Sequence, residues 1–249
     1  MKKLVTGISL AVVASATLIP HAVADTVKLH GATTVVNVVV NPHREAVEKA
    51  TGHKLEITGN ATGKGLADLV DGKADASMCS EPLDIAVEAA AAAGKTVDIK
   101  TLQLHEIRKD EIVFVVHPSN TVSALTWEQI RDIHTGKITN WKEVGGKDKA
   151  ITVYSDALTG GTRAMIKKIV MGGAEYGSSV KPQINVKRVA EVVAGDEGSF
   201  GGVGKGFVET AKQKIVQTKK LERPLGFITV GAPSAKVSQV VEAFRTAEK

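Results

Sequence analysis

The sequence predicts an α/β fold, with strands and helices alternating along most of the chain. Two observations carry that reading. Short β-branched or alternating runs are separated by stretches of helical composition. Four strand ends also pass into polar Gly, Ser or Thr loops before the next helix, at Gly31, Asn60, Ser80 and Thr159. Ligands collect at such turns in α/β sheets, so the pattern favours a binding cleft.

The elements follow in order. Residues 1–24 read as a cleavable secretory signal: Lys2 and Lys3 lead, an apolar run follows, and Ala22-Val23-Ala24 offers a small-residue cleavage site. The apolar run is interrupted by Gly and Ser and stops at Pro20, short of a membrane span. The expected product is therefore periplasmic or extracellular. Val27 to His30 forms a short strand, Gly31 a turn, and the run to Val40 is a helix or a strand. "NPHREAVEKATG" is helical, with Asn41 at the cap, Pro42 in the first position and Gly52 as the stop. "HKLEITG" is a strand, "NATGKG" a loop and "LADLVDGKA" a short helix. "DASMCSEPLD" is a strand entering a Pro82 turn, followed by the helical "IAVEAAAAAG".

"DEIVFVVHP" is the most strand-like segment and ends at Pro118. In "TWEQIRDIHTG", Thr126 and Gln129 make a capping box and Gly136 closes the helix. "KDKAITVYS" is a strand, and after the loop "DALTGG" the helix "TRAMIKKIVMGG" follows. Residues 174–206 are rich in Gly, Ser and Lys and carry no assigned element. "LGFITVG" reads as a strand and "AKVSQVVEAFRTA" as a closing amphipathic helix.

Composition excludes several function classes. The formal charge is +5, or +3 once Lys2 and Lys3 leave with the signal, and aromatics are 4%. Neither the charge nor the supply of stacking rings suits a nucleic-acid partner. Cys79 is the single cysteine, so there is no internal disulfide and no cysteine-cluster zinc site. The six histidines from His30 to His134 lack any i, i+4 metal spacing. "GNATGKGL" fails as a nucleotide P-loop, since its glycine spacing is short and Gly65 stands where Ser or Thr must ligate magnesium. "FGGVGKGF" is out of register for a dinucleotide loop, and no G-x-S-x-G elbow occurs. No catalytic residue, metal set or cofactor is expected, and an enzyme is the weaker class.

At "GKITNWKEVGG", flanked by "LTWEQIRDIHTG" and "ITVYSDALTGGTR", the chain resembles the phosphate-binding, PstS-like solute-binding proteins of ABC transporters. The resemblance covers nearly all of the chain after the signal. "GATTV" is similar to the family's first ligand loop, "GNATGKGL" to the second and "MCSEPL" to the third. "KDEIVFVVHPSN" resembles the strand crossing between lobes, and "EGSFGGVGKGF" the stretch near the return crossing. The resemblance implies a two-lobed type II periplasmic-binding-protein fold, with a central mixed sheet in each lobe and two crossing segments. One lobe would hold residues 25–107 and 207–249, the other residues 108–206. It further implies a monomer that captures an oxyanion, phosphate first, between the lobes and docks on a membrane ABC permease.

The resemblance also implies a ligand set, carried over position by position. Thr33 and Thr34 match the first loop, Thr62 and Gly63 the second, Ser80 and Glu81 the third, and Thr159 to Thr162 with Gly160 and Gly161 the fourth. Ala61 stands where a serine hydroxyl is expected, Gly160 replaces a serine, and Asp156 falls where the family places an arginine. A carboxylate about 4 Å from an anion repels it by roughly 4 kcal/mol at an effective dielectric near 20. Lys64 or Arg163 would have to supply the missing positive charge. Two alternatives stay open: the same fold binding a metal cation or organic amine through Glu81, Asp156, Cys79 and a nearby histidine, or a secreted sensor or interaction protein without a small ligand.

Overall fold

The computed structural model describes residues 25–249, so the signal reading falls outside the described residues. The first half contains β1 (Thr26–Gly31), α1 (Thr33–Val35), α2 (Asn41–Thr51), β2 (Lys54–Gly59), α3 (Thr62–Val70), β3 (Ala76–Cys79) and α4 (Leu83–Ala92). After it come β4 (Leu102–Val116), α5 (Trp127–Thr135), β5 (Thr152–Ser155), α6 (Gly161–Met165) and β6 (Lys181–Pro182). The chain ends with α7 (Val186–Gly195), β7 (Ser199–Gly204), β8 (Lys214–Val230) and α8 (Ala235–Ala247).

The run to Val40 is helical rather than extended. A π-helical turn, Val36–Val40, joins α1 directly to α2, burying Val35, Val39 and Val40. Asn41 is therefore inside a continuous helix and caps nothing, contrary to the sequence expectation. Pro42 lies just beyond the wider π turn; its ring and missing N–H would disrupt a regular α-helix. The Thr126–Gln129 capping box and the left-handed Gly136 (φ 82°) bound α5 as the sequence predicts. A second π turn, Ile166–Val170, extends α6.

Residues 174–206, to which the sequence assigns no element, contain β6, α7 and β7. Asn185 caps α7 by accepting from the Arg188 N–H. The strand β7 was hidden by its glycines, "SFGGVG", which are poor strand formers in isolation.

The eight strands form one mixed sheet in the order β2-β1-β3-β8-β4-β7-β5-β6. β1 is parallel to β2 and β3, and β5 is parallel to β6 and β7. The long strands β4 and β8 run antiparallel and join the two sets. Each set has its own core. Val27, Leu29, Val39, Leu225, Phe227 and Phe244 pack in one lobe, and Ile112, Phe114, Trp141, Phe200, Val216 and Leu221 in the other. The lobes' sheets are thus continuous through the β4–β8 ribbon, and the chain passes between cores at Ile107–Ile112 and Leu221–Leu225. The return passage comes later than the boundary at 207 expected from sequence, because Val216 and Leu221 are buried in the second core and Ile215 packs with Val113 and Val203. β4 breaks register with β8 on both sides of the passage, between Glu106 and Arg108 and between Ile112 and Phe114.

Candidate functional site

Parallel strands deliver their helices from one edge, so the helix starts gather at the carboxyl ends of the strands. β1 leads into α1, β2 into α3, β5 into α6 and β6 towards α7. Their starts, with Ser80 after β3, enclose one cavity lined by Thr33, Thr34, Thr62, Ser80, Asp156, Gly160, Gly161, Ala32, Ala61, Asn185 and Val186. Seven of these, Ala61 aside, belong to the ligand set expected from the sequence, and they come from four separate loops. The first N–H groups of each helix have no intrahelical acceptor and carry the positive end of the helix dipole. Hydroxyls and helix starts therefore border one cavity.

The cavity is small, about 10 Å³ for the centre of a water-sized sphere. The lobes meet around it. The Gly63 N–H donates to the Thr159 carbonyl at 3.1 Å, and Lys168 on the second lobe pairs with Asp84 and Glu88 on the first, at 2.9 and 2.7 Å. A tetrahedral oxyanion needs the lobes to part before it can enter.

The remaining sequence-named positions sort differently. Gly63 and Thr159 spend their backbone groups on each other across the cleft. Glu81 lies fully buried beneath Ser80, whose N–H and hydroxyl both donate to Glu81 Oε2, at 3.0 and 2.8 Å. Glu81 Oε1 and Thr62 Oγ1 are buried without a hydrogen-bond partner among the described residues. Thr162 is buried behind Gly161. Lys64 is exposed on α3 and outside the lining. Arg163 turns away from the cavity: it donates to Ser155 Oγ and stacks at 3.8 Å on the Tyr176 ring. Neither of the two candidates for the missing positive charge reaches the site.

Asp156 and Glu81 explain the two glycines between them. A Cβ at Gly160 would lie 2.2 Å from Asp156 Oδ2, and one at Gly161 only 1.8 Å from Glu81 Oε2. Any side chain at position 160, the serine that the resemblance implies included, would collide with the Asp156 carboxyl as it stands. Burial pushes Asp156 up from 3.8 to about 6, against the lowering pull of the Ala157 N–H and the Arg223 charge. Burial likewise raises Glu81, opposed by the donors of Ser80. Both carboxyls thus hold a proton more readily than exposed carboxyls do.

The residue that sequence reading missed is Arg223. Its side chain is fully buried at the lobe passage, where Nε and Nη2 donate to Asp110 Oδ2 at 3.0 and 2.8 Å. Nη1 donates to Thr162 Oγ1 at 2.8 Å, and Nη2 makes a longer 3.5 Å contact with Thr34 Oγ1. The available signal was one opposite-charge pair, Asp110 in "RKDE" and Arg223 in "LERP", which sit opposite once both strands are extended through the passage.

Cys79 is buried, and its Sγ–H donates to the Glu81 carbonyl at 3.0 Å. Burial and the Glu81 charge raise the thiol well above its usual range, so it is not a thiolate ligand. Among the described residues no group of three His, Cys, Asp or Glu side chains could hold a metal ion, and no helix is long and apolar enough to cross a membrane.

A family model described as the PBP superfamily domain matches residues 19–244. The phosphate-binding protein PstS of Bacillus subtilis (strain 168) is 25% identical over 173 residues, 70% of this chain and 55% of that protein. The PstS of Staphylococcus saprophyticus is 28% identical over 165 residues, 64% of this chain and 49% of its own length. The chain spans about half the length of these curated relatives. Among solved structures, a Clostridium perfringens chain described as a phosphate ABC transporter substrate-binding protein, with bound phosphate, superposes with a TM-score of 0.74. It is 24% identical, covering 88% of this chain and 92% of that one. An ABC-type phosphate transport receptor from Vibrio cholerae superposes with a TM-score of 0.67 at 22% identity, covering 89% and 94%.

Proposed function

The chain belongs to the PBP superfamily, and we propose that it is an exported solute-binding protein that captures phosphate for an ABC transporter. It works as a binding protein and not as an enzyme. One observation carries the reading: hydroxyls of Thr33, Thr34, Thr62 and Ser80 converge with the starts of α1, α3 and α6 on a single cavity between two lobes. Hydroxyls and helix starts can donate, so the arrangement suits an oxyanion, with the Asp156 carboxyl as the acidic group in the lining. A dry, closed cavity also strengthens each of those hydrogen bonds. The relatives named for phosphate support the same ligand.

The acidic residues fit this reading when they carry protons. Asp156 and Glu81, protonated, donate to oxyanion oxygens; ionised, they accept a proton that a phosphate brings. Docking on a membrane permease, and export before folding is completed outside the cytoplasmic membrane, follow from the same reading. Titration calorimetry of the purified protein with phosphate, arsenate, sulfate and molybdate tests it. Phosphate binding at micromolar to low millimolar concentration is expected. Silence from all four at millimolar concentration, with binding of an organic amine instead, would replace the oxyanion with a cationic ligand held by Asp156 and Glu81.

A further inference from the structure

Arg223 is fully buried, yet it contributes to neither lobe's apolar core. It occupies the passage between them, directly opposite Asp110 in the β4–β8 register. β7 passes so close that a Cβ at Gly204 would stand 2.6 Å from Arg223 Nη2 and 2.9 Å from Asp110 Oδ2. Three elements therefore bind the guanidinium, β4 through Asp110, the first loop through Thr34 and the fourth loop through Thr162, while β7 closes over it at Gly204. A purely structural ion pair needs only the first of these. The other contacts reach ligand loops of both lobes.

A guanidinium can only donate. A hydroxyl that accepts from it must turn its own proton elsewhere. Thr34 lines the cavity, and Thr162 follows Gly160 and Gly161, which also line it. We propose that Arg223 is the positive centre of the ligand site, acting from the lobe passage as a positioning residue that fixes Thr34 and Thr162 as donors toward a bound oxyanion. This rests on the phosphate reading above. It supplies the charge that neither Lys64 nor Arg163 provides, from a strand outside all four glycine-rich loops. Because Thr34 and Thr162 belong to different lobes, Arg223 completes both contacts only when the lobes are closed.

Asp110 has a definite role in this scheme: it offsets part of the Arg223 charge. Its removal gives opposite signs under the two explanations. If Arg223 merely ties β4 to β8, Asp110→Asn loosens the tie and weakens ligand binding. If Arg223 supplies the site's positive charge, Asp110→Asn leaves that charge less neutralised and tightens phosphate binding. About tenfold is expected for one unit charge removed roughly 10 Å from an anion at an effective dielectric near 20.

The experiment is phosphate calorimetry on the wild type, Asp110→Asn, Arg223→Met and the double variant, each checked for folding by circular dichroism. Arg223→Met should weaken phosphate by about a hundredfold, the range of a lost charge-assisted hydrogen bond. The double variant leaves no unpaired buried charge and should fold while binding as weakly as Arg223→Met. It decides the matter should Arg223→Met fail to fold. Wild-type binding with Asp110→Asn unchanged or weaker overturns this inference alone, as does wild-type affinity in the double variant. A wild type that binds no oxyanion overturns the phosphate reading and this inference together.

Discussion

Asp156→Asn should stabilise the protein, and only above a defined pH. Burial raises the Asp156 carboxyl from 3.8 to about 6 in the folded state. A raised carboxyl means that the folded state holds the proton more tightly than the unfolded chain. Its favourable contribution is therefore complete below about pH 4 and lost as pH rises through about 6. At 1.36 kcal/mol per tenfold change in proton affinity, the ionised carboxylate costs the native state about 3 kcal/mol at pH 7. Asparagine keeps an oxygen able to accept from the Ala157 N–H, which Asp156 Oδ1 now does at 2.8 Å, and it removes the charge. Urea unfolding of ligand-free wild type and variant, followed by tryptophan emission at half-unit steps from pH 4 to pH 8, measures the effect. The variant's advantage should be small at pH 4 and grow by about 2–3 kcal/mol by pH 7. A difference that stays constant across that range would refute the argument that burial of this carboxyl is costly.

His134 titrates in the opposite sense: burial holds it down from 6.5 to about 4, while its Nδ1–H donates to the Ile130 carbonyl. Its contribution is present above about pH 6.5 and lost as pH falls through about 4, so His134→Phe should remove about 3 kcal/mol of acid sensitivity in the same unfolding series. In the wild type the two slopes oppose each other, and each variant should unmask the other residue's slope. Gly161→Ala places a Cβ 1.8 Å from Glu81 Oε2, against a carboxyl that Ser80 holds in place. It should cost about 2 kcal/mol in thermal or urea unfolding. Adding Glu81→Ala should restore most of that loss, and additive costs in the double variant would show that the clash is elsewhere.

Local chemistry made much of this fold legible. The Thr126–Gln129 box and Gly136 bound α5 because caps act within one turn of chain. The strand-to-helix loops were equally readable, since their polar and glycine content contrasts with the β-branched runs before them. What stayed hidden was set by distant partners. The glycines of β7 look like loop residues until Val189 and Ile166 are seen to press on Gly201 and Gly202, within 2.6 and 2.4 Å of where a Cβ would stand. The first half of β8, "KIVQTKKLER", has too many lysines for a strand on propensity, yet it pairs along β4. Arg223 was missed for the same reason. Its partners Asp110, Thr162 and Thr34 lie 113, 61 and 189 residues away in the chain, beyond the reach of any local motif.

The acidic character of the site is best understood through protons rather than through fixed charges. An anion entering the cavity beside Asp156 would raise that carboxyl further, because an added negative charge disfavours ionisation of its neighbour. Near pH 7 Asp156 is mostly ionised, so binding should draw a proton onto it. The uptake is measurable as a positive slope when the binding enthalpy of phosphate is plotted against the ionisation enthalpy of the buffer. Phosphate itself can exchange protons on binding, so the informative quantity is the difference between wild type and Asp156→Asn. The variant should show a smaller slope and a tighter dissociation constant at pH 7, and the two proteins should converge by pH 5, where the wild-type carboxyl is already protonated. Equal slopes in both proteins would mean that Asp156 keeps its charge beside the bound anion.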